Sequence, residues 1–158
     1  MSHEAARAYA DARAASLPRG TPPDQLLGPA DVEPIARAQL ALEDAAAARA
    51  AARHARLVVR DTDLVSTVVY ARHYYGSCPP WIVDAARARR ADLYLLCDVD
   101  LPWVADGQRD RPHARDALRD EFARTLDALG CRWAFVRGRG AAREGAARAA
   151  VGAALGGA

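Results

Sequence analysis

Short apolar runs alternate with longer stretches of helical periodicity along most of this chain. Three runs have the length and hydrophobic character of buried parallel strands, namely 57–60, 92–98 and 133–136. Six stretches favour helices, several of them with proline in the first turn or glycine after the last: 2–15, 32–54, 64–75, 80–90, 113–130 and 141–155. Because strands and helices alternate, the pattern predicts an α/β fold with a parallel sheet.

Two segments interrupt this alternation. Residues 16–31 contain four prolines and two glycines, which predicts a surface loop. Residues 99–112 are rich in Asp, Arg and Gly and predict a second loop. Neither segment reads as a linker between domains, and 158 residues suit one domain, so we expect a single domain over 1–158.

Composition and charge narrow the class of protein. The net charge is +2, and arginines and acidic residues are interspersed, unlike the concentrated basic stripe of a nucleic-acid-binding surface. No apolar stretch approaches the length of a membrane span. The three cysteines are an odd number without a C-x-x-C spacing, which argues against a disulfide framework and a zinc site. We therefore expect a cytoplasmic protein without nucleic-acid or membrane partners.

Acidic residues follow two of the predicted strands. Asp61 and Asp63 come just after 57–60, and Asp98 and Asp100 just after the second strand. In a parallel α/β sheet, ligands bind at the carboxyl ends of the strands. A carboxylate there can hold Mg²⁺ or accept a proton from a substrate hydroxyl. The alternative is that Asp61 only caps the helix that follows, since Asp is a preferred N-cap residue.

Several segments together are specific to one family. They are Asp61-Thr62-Asp63 with Thr67 and Tyr70, Tyr74-Tyr75-Gly76-x-Cys78-Pro79-Pro80-Trp81, Asp92-Leu93-Tyr94-Leu95-Leu96, Pro102-Trp103-Val104-x-Asp106-Gly107-x-Arg109-Asp110, Glu4-x-x-Arg7-x-Tyr9 and Ala38-Gln39-x-x-x-Glu43. This set resembles the ribosylnicotinamide kinase domain of NadR-type NAD-salvage proteins, a P-loop family also grouped as a NadR-like AAA domain. The resemblance covers roughly residues 4 to 137.

The resemblance implies a three-layer P-loop-kinase-like fold around a parallel sheet. It implies ATP-dependent and Mg²⁺-dependent phosphorylation of the 5′-hydroxyl of nicotinamide riboside, giving nicotinamide mononucleotide. The partners implied are therefore a small-molecule nucleoside substrate and ATP. Another nucleoside or nucleotide kinase remains an alternative, because the substrate pocket is assigned by resemblance.

The same resemblance assigns roles to individual residues. The residues implied at the catalytic centre are Asp61, with Mg²⁺, together with Asp63 and Arg109. Those implied on the substrate side are Glu4, Arg7, Tyr70, Tyr74, Trp81, Trp103 and Asp106, the aromatic ones packing against the pyridinium ring or the ribose. Segment 99–112 would form a lid whose arginines, Arg109, Arg111 and Arg115, neutralise phosphoryl charge. The alternatives are ordinary core packing for the aromatic residues and a solvated helix start for the arginines.

One part of the family pattern has no counterpart in these residues. All 22 basic residues are arginine, so the phosphate-binding loop G-x-x-x-x-G-K-[ST], which requires lysine, is absent. We expect a chain truncated at its N-terminus, without its first strand and Walker A loop, with an incomplete sheet and without efficient ATP binding. The other possibility is a non-catalytic remnant or interaction module that self-associates at the edge where that strand would lie.

Overall fold

The computed structural model describes residues 2–18, 26–102 and 114–156. The helices in these residues are α1 (Ser2–Ser16), α2 (Val32–Ala52), α3 (Leu64–Tyr75), α4 (Pro80–Ala88), α5 (Arg115–Ala128) and α6 (Ala141–Leu155), with a short 3₁₀ turn at Pro29–Asp31. The strands are β1 (Tyr94–Cys97) and β2 (Trp133–Val136). The described part of the chain is thus mixed α/β and mostly helical.

The chain divides into two compact units, Met1–Ala86 and Arg87–Ala158. In the first unit, α1 packs against α2 and α3, and α2 packs against α3. The core is formed chiefly by α3, where Leu64, Val65, Val68 and Val69 are fully buried. Helix α3 ends at Gly76, whose φ of +76° lies in the left-handed region that glycine adopts without strain.

The second unit contains a strand–helix–strand arrangement. Strands β1 and β2 pair in parallel, with Tyr94 opposite Trp133 and Cys97 opposite Val136, and α5 connects them along the chain. Such a crossover helix is the usual connection between parallel strands. Leu126 of α5 and Leu129, the residue that follows this helix, are both buried. The predicted strands at 92–98 and 133–136 are therefore confirmed, the first over a shorter range.

The prediction of a buried strand over 57–60 is wrong. These residues have no strand assignment, and Leu57, Val58 and Val59 are 52, 46 and 83% exposed. Among the described residues, the sheet consists of β1 and β2 alone. An apolar segment becomes a strand only where a neighbouring strand supplies hydrogen-bond partners for its backbone.

The helices lie where the sequence predicts them, within a few residues at either end. Asp31 has the residue type and position of an N-cap for α2, but its side chain makes no capping bond to that helix. Its carboxylate instead accepts hydrogen bonds from the Gly28 backbone N–H at 2.9 Å and the Tyr9 hydroxyl at 2.9 Å, so it fastens the turn to α1. Of the predicted loops, 19–25 and 103–112 lie outside the described residues.

Candidate functional site

A cleft lined by tyrosines lies in the first unit. Its volume is about 180 Å³, and the residues that line it come from α1, α2, α3 and the preceding loop: Ala6, Leu27, Val32, Ile35, Thr67, Tyr70, Ala71, Tyr74 and Tyr75. The rings of Tyr70 and Tyr74 stack with centroids 6.3 Å apart and an interplanar angle of 26°. A cavity of about 150 Å³ can hold benzene, so the cleft has room for one six-membered aromatic ring.

Helical spacing places the tyrosines of the cleft on one face of α3. Thr67, Tyr70 and Tyr74 follow Asp63 at i+4, i+7 and i+11, which is the repeat of a single helix face. At a rise of about 1.5 Å per residue, Tyr70 lies about 10 Å along the helix axis from Asp63. A nucleoside has a similar length, so one face of α3 could contact its ring at one end and its hydroxyl groups at the other.

A buried carboxylate contributes negative potential close to this cleft. Asp31 is 5% exposed. Burial raises the pKa of Tyr75, and the charge of Asp31 raises it further. The hydrogen bond to Asp31 is also the main cause that raises the pKa of Tyr9. The Arg13 guanidinium lies 3.7 Å from the same carboxylate and offsets part of its charge.

The two acidic residues of Asp61-Thr62-Asp63 have different environments. Asp63 is 7% exposed and is the N-cap of α3, where its carboxylate accepts a hydrogen bond from the Val65 backbone N–H at 2.9 Å. Asp61 lies on an exposed bend two residues earlier. The capping role that the sequence offered to Asp61 therefore belongs to Asp63, whose assignment to catalysis stays a prediction.

Two side chains of α2 bind the residues in and around Asp61-Thr62-Asp63, which we call the acidic segment. Glu43 accepts a hydrogen bond from the Leu64 backbone N–H at 3.2 Å and pairs with the Arg60 guanidinium at 3.2 Å. Gln39 donates from Nε2 to the Thr62 carbonyl at 3.3 Å and to Glu43 at 3.2 Å. Both Gln39 and Glu43 are 4% exposed. The residues on either side of Asp61 are thus anchored to the helix.

Two other predicted site residues of the first unit, Arg7 and Trp81, do not line the cleft. Arg7 is exposed on α1, and Glu4 lies on the same helix, its side chain outside the described residues. Trp81 is half-buried at the start of α4, and the Arg37 guanidinium lies 4.8 Å from the centre of its ring. The Trp81 indole N–H is buried and has no hydrogen-bond partner among the described residues.

In the second unit, arginines surround the carboxylates that follow β1. Asp98 accepts hydrogen bonds from Arg137 at 2.7 Å and Arg119 at 3.2 Å, and Asp100 accepts one from Arg143 at 2.6 Å. The Arg137 hydrogen bond, with that of the Val99 backbone N–H, lowers the pKa of Asp98 to about 2. These carboxylates serve as arginine acceptors that join the ends of the two strands.

The predicted lid falls largely outside the described residues. Trp103, Asp106, Arg109 and Arg111 lie there, so their assignments stay predictions. Arg115 is described: it opens α5 and donates a hydrogen bond to the Leu101 carbonyl at 2.9 Å.

The acidic segment has one exposed carboxylate, that of Asp61. No group of three or more His, Cys, Asp or Glu side chains that could hold a metal ion occurs among the described residues. Asp61 is exposed, whereas Asp63 uses a carboxylate oxygen for the helix cap. One carboxylate suffices for Mg²⁺ only when substrate phosphates supply further ligands, which is the usual arrangement for this ion in phosphoryl-transfer enzymes. The residues therefore fit a metal bound mainly through phosphate.

A family model described as an AAA domain matches residues 1–143, most of the chain. The chain belongs to this AAA-domain family. The trifunctional NAD biosynthesis/regulator protein NadR of Escherichia coli (strain K12) is 36% identical over 66 residues, which are 42% of this chain and 16% of that protein. The protein of the same name from Salmonella typhimurium (strain LT2) is 39% identical over 49 residues, 31% of this chain and 12% of that protein. No solved structure gives a significant match.

These findings confirm that the AAA domain described here is NadR-like. The matched segments span one sixth or less of each NadR protein. None of the described helices of the domain is long and apolar enough to cross a membrane.

The sequence pattern assigns no individual role to three residues of this AAA domain that contribute to the site. Gln39, Glu43 and Tyr75 belong to segments that carry the family resemblance, which gives none of them a function. A signal for the first two was present, because they continue the buried face of α2 that begins with Val32 and Ala36 at i, i+4, i+7 and i+11. Polar residues at such positions indicate a buried hydrogen-bond network.

Proposed function

We propose that this chain supplies the nucleoside-binding part of a NadR-like kinase, with nicotinamide riboside as the substrate. The tyrosine cleft carries the proposal, because stacked rings beside a buried carboxylate suit a cationic aromatic ring. The pyridinium ring would lie against Tyr70 and Tyr74, near the negative potential of Asp31. The ribose would then extend along α3 toward Thr67 and the acidic segment.

In this arrangement the chain's own residues do two things for the reaction. Asp61 accepts the proton of the 5′-hydroxyl as that oxygen attacks the terminal phosphorus of ATP, and the bond from that phosphorus to the bridging oxygen of ADP breaks. The cleft fixes the ribose so that this hydroxyl faces Asp61. Mg²⁺, bound through the phosphates and Asp61, would supply charge neutralisation. The fold would be the three-layer P-loop-kinase-like fold of the family, with a sheet that lacks its first strand in this chain.

The ATP-binding part of the activity has less support in these 158 residues. The sequence contains no lysine and therefore no G-x-x-x-x-G-K-[ST] loop. Nucleoside binding and nucleotide binding are accordingly separate questions. A chain that supplies the nucleoside-binding part binds nicotinamide riboside whether or not it binds ATP.

Isothermal titration of the chain with nicotinamide riboside, and separately with Mg·ATP, tests the proposal. We expect nicotinamide riboside to bind and Tyr74→Leu to weaken binding by roughly 2- to 30-fold, because a cation–π contact is worth about 0.5–2 kcal/mol. Tyr94→Leu is the matched control, since Tyr94 lies in β1 and its hydroxyl accepts a hydrogen bond from the Ala91 backbone N–H. Equal binding of a neutral nucleoside such as uridine would instead favour another nucleoside kinase.

A specific observation also supports a second function, self-association. The three consecutive apolar side chains of Leu57, Val58 and Val59 are exposed, and an exposed apolar segment can pair with a strand of another chain when it becomes extended. If the chain is an interaction module, sedimentation velocity should show a concentration-dependent oligomer that Val59→Lys dissociates. A monomer at all concentrations, together with riboside binding, would leave only the first proposal.

A further inference from the structure

Helix α2 contacts the segment Arg60–Leu64 at three successive points. The Arg60 guanidinium meets Glu43 Oε2 at 3.2 Å, the Thr62 carbonyl accepts from Gln39 Nε2 at 3.3 Å, and the Leu64 N–H donates to Glu43 Oε1 at 3.2 Å. We call Gln39 and Glu43 together the α2 clamp. The clamp therefore holds one group at every second residue of the segment: the Arg60 side chain, the Thr62 carbonyl and the Leu64 N–H.

Burial of the Glu43 carboxylate in the α2 clamp costs free energy of desolvation. Glu43 is 4% exposed, and a buried carboxylate is tolerated only when donors surround it. Its two oxygens receive donors from Leu64, Gln39 and Arg60, which satisfies this condition. An alanine or leucine at residue 43 would bury apolar surface on α2 without any desolvation cost. The geometry of the held segment, rather than helix packing, accounts for the carboxylate.

The residues before the acidic segment are not part of the sheet. Leu57, Val58 and Val59 precede it, are exposed, and form no strand. The α2 clamp and the Asp63 cap both constrain the direction in which the chain enters α3. Asp61 lies between two residues that the clamp holds, Arg60 and Thr62.

We propose that Gln39 and Glu43 are positioning residues that fix the backbone at Asp61. They hold the Arg60 side chain before Asp61 and the Thr62 carbonyl after it, so the path of the backbone at Asp61 relative to α3 is set before a substrate binds. The importance of this for catalysis rests on the proposed function, because it assumes that Asp61 meets the substrate hydroxyl. The backbone geometry itself does not depend on that assumption.

Two adjacent amides give a direct measurement of the α2 clamp. The Leu64 N–H donates to Glu43, whereas the Val65 N–H donates to Asp63. In Glu43→Gln, the acceptor at Leu64 becomes neutral and the pairing with Arg60 is lost. We expect hydrogen exchange at Leu64 to accelerate about fivefold or more, with Val65 much less affected, because a bond to a charged acceptor is replaced by a weaker one. The NMR order parameter of the Asp61 N–H should fall at the same time.

Matched variants separate positioning from general stability. Glu33→Gln makes the same chemical change on α2 in an exposed pair with Arg37 at 3.7 Å, and should alter neither amide nor Asp61. Gln39→Met removes the Thr62 contact while Glu43 stays in place, and should loosen Asp61 with a smaller effect at Leu64. Acceleration of exchange spread evenly over α3, or an unchanged Asp61 order parameter in Glu43→Gln, would overturn the proposal.

Steady-state phosphorylation of nicotinamide riboside tests the link to function. If the wild-type chain turns over, Glu43→Gln should lower kcat by up to about 100-fold with little change in KM, because displacement of a reacting group affects chemistry rather than ring binding. Absence of wild-type turnover would count against the kinase function alone, while the exchange measurement would still decide whether the clamp positions Asp61. An equal loss in Glu33→Gln would overturn the catalytic link.

Discussion

Replacement of Asp63 by alanine separates its structural role from the catalytic role that the family resemblance implies. The Asp63 carboxylate accepts a hydrogen bond from the Val65 N–H at 2.9 Å, and both residues are buried. Asp63→Ala leaves that N–H without this acceptor in a site where water has little access. We therefore expect a clear fall in the free energy of unfolding, whose origin is the lost cap at the start of α3.

The magnitude follows from the cap and its burial. Replacing an N-cap Asp by Ala costs about 1 kcal/mol and up to about 2 kcal/mol, and an unsatisfied buried N–H costs about 1–3 kcal/mol. A central value of about 2 kcal/mol corresponds to a fall in Tm of roughly 4–8 °C for a chain of this size. Asp63→Asn keeps a side-chain acceptor and loses only the charge at the helix N-terminus, about 0.3–1 kcal/mol.

Differential scanning calorimetry and urea unfolding measure these free energies. The expected order of stability is wild type, then Asp63→Asn, then Asp63→Ala. Asp11→Ala is the control, since Asp11 is exposed within α1 and is not the N-cap of that helix. A Tm for Asp63→Ala within about 1 °C of wild type would refute the reasoning, because a buried cap cannot be removed at so small a cost. If Asp63→Asn is stable but loses riboside phosphorylation, the residue also acts in catalysis.

Two further predictions concern glycine and acid stability. Gly76→Ala should lower the free energy of unfolding, measured with urea, by about 1–2 kcal/mol, because Gly76 has a φ of +76°. A Cβ at either Gly76 or Gly152 would meet no atom within 4 Å, so steric contact is not the cause. Gly152→Ala within α6 should instead raise the free energy of unfolding by about 0.5–1 kcal/mol. The pKa of Asp98 is lowered from 3.8 to about 2, so its contribution to stability is complete above pH 4 and is lost as the pH falls from about 4 toward 2. Arg137→Ala should raise that pKa and move the acid transition, followed by circular dichroism, to higher pH; an unmoved transition would contradict the pairing.

The sequence predicts the helices of this chain well because local signals decide them. The helix predicted over 64–75 is observed at those residues, and that over 141–155 likewise. In the first case, Asp63 before the helix and Gly76 after it supply the start and stop signals. These signals depend on hydrogen bonds within a few residues, so they need no knowledge of the rest of the fold.

Strands depend on partners that the local sequence does not reveal. Tyr94–Cys97 pairs with Trp133–Val136 and is a strand, whereas 57–60, with three apolar residues of four, is not. Hydrophobic pattern predicts that a segment can be buried, but a ladder forms only when another strand lies beside it. The failure at 57–60 therefore concerns tertiary context rather than β-propensity.

The candidate site was predictable as a set of residue types but not as a geometry. The sequence brought forward Tyr70 and Tyr74, and the structure places both in one cleft. It assigned no role to Glu43, because a charged residue in an alanine-rich helix usually faces water. Only the fold reveals that α2 turns this carboxylate toward the backbone of a segment 21 residues later.

The division of roles within Asp61-Thr62-Asp63 has a consequence for Asp61. From the sequence alone, the plain explanation for a carboxylate at residue 61 was a helix cap. The structure gives that role to Asp63, and α3 has one N-cap. Asp61 lies instead on an exposed bend, between residues that two buried polar side chains of α2 hold in place. The contacts of the buried Glu–Gln pair with Arg60, Thr62 and Leu64 all lie in the segment that leads into α3, and they offset the desolvation cost of the Glu43 carboxylate. The reason for a carboxylate at residue 61 is therefore to be sought in what it contacts outside α3.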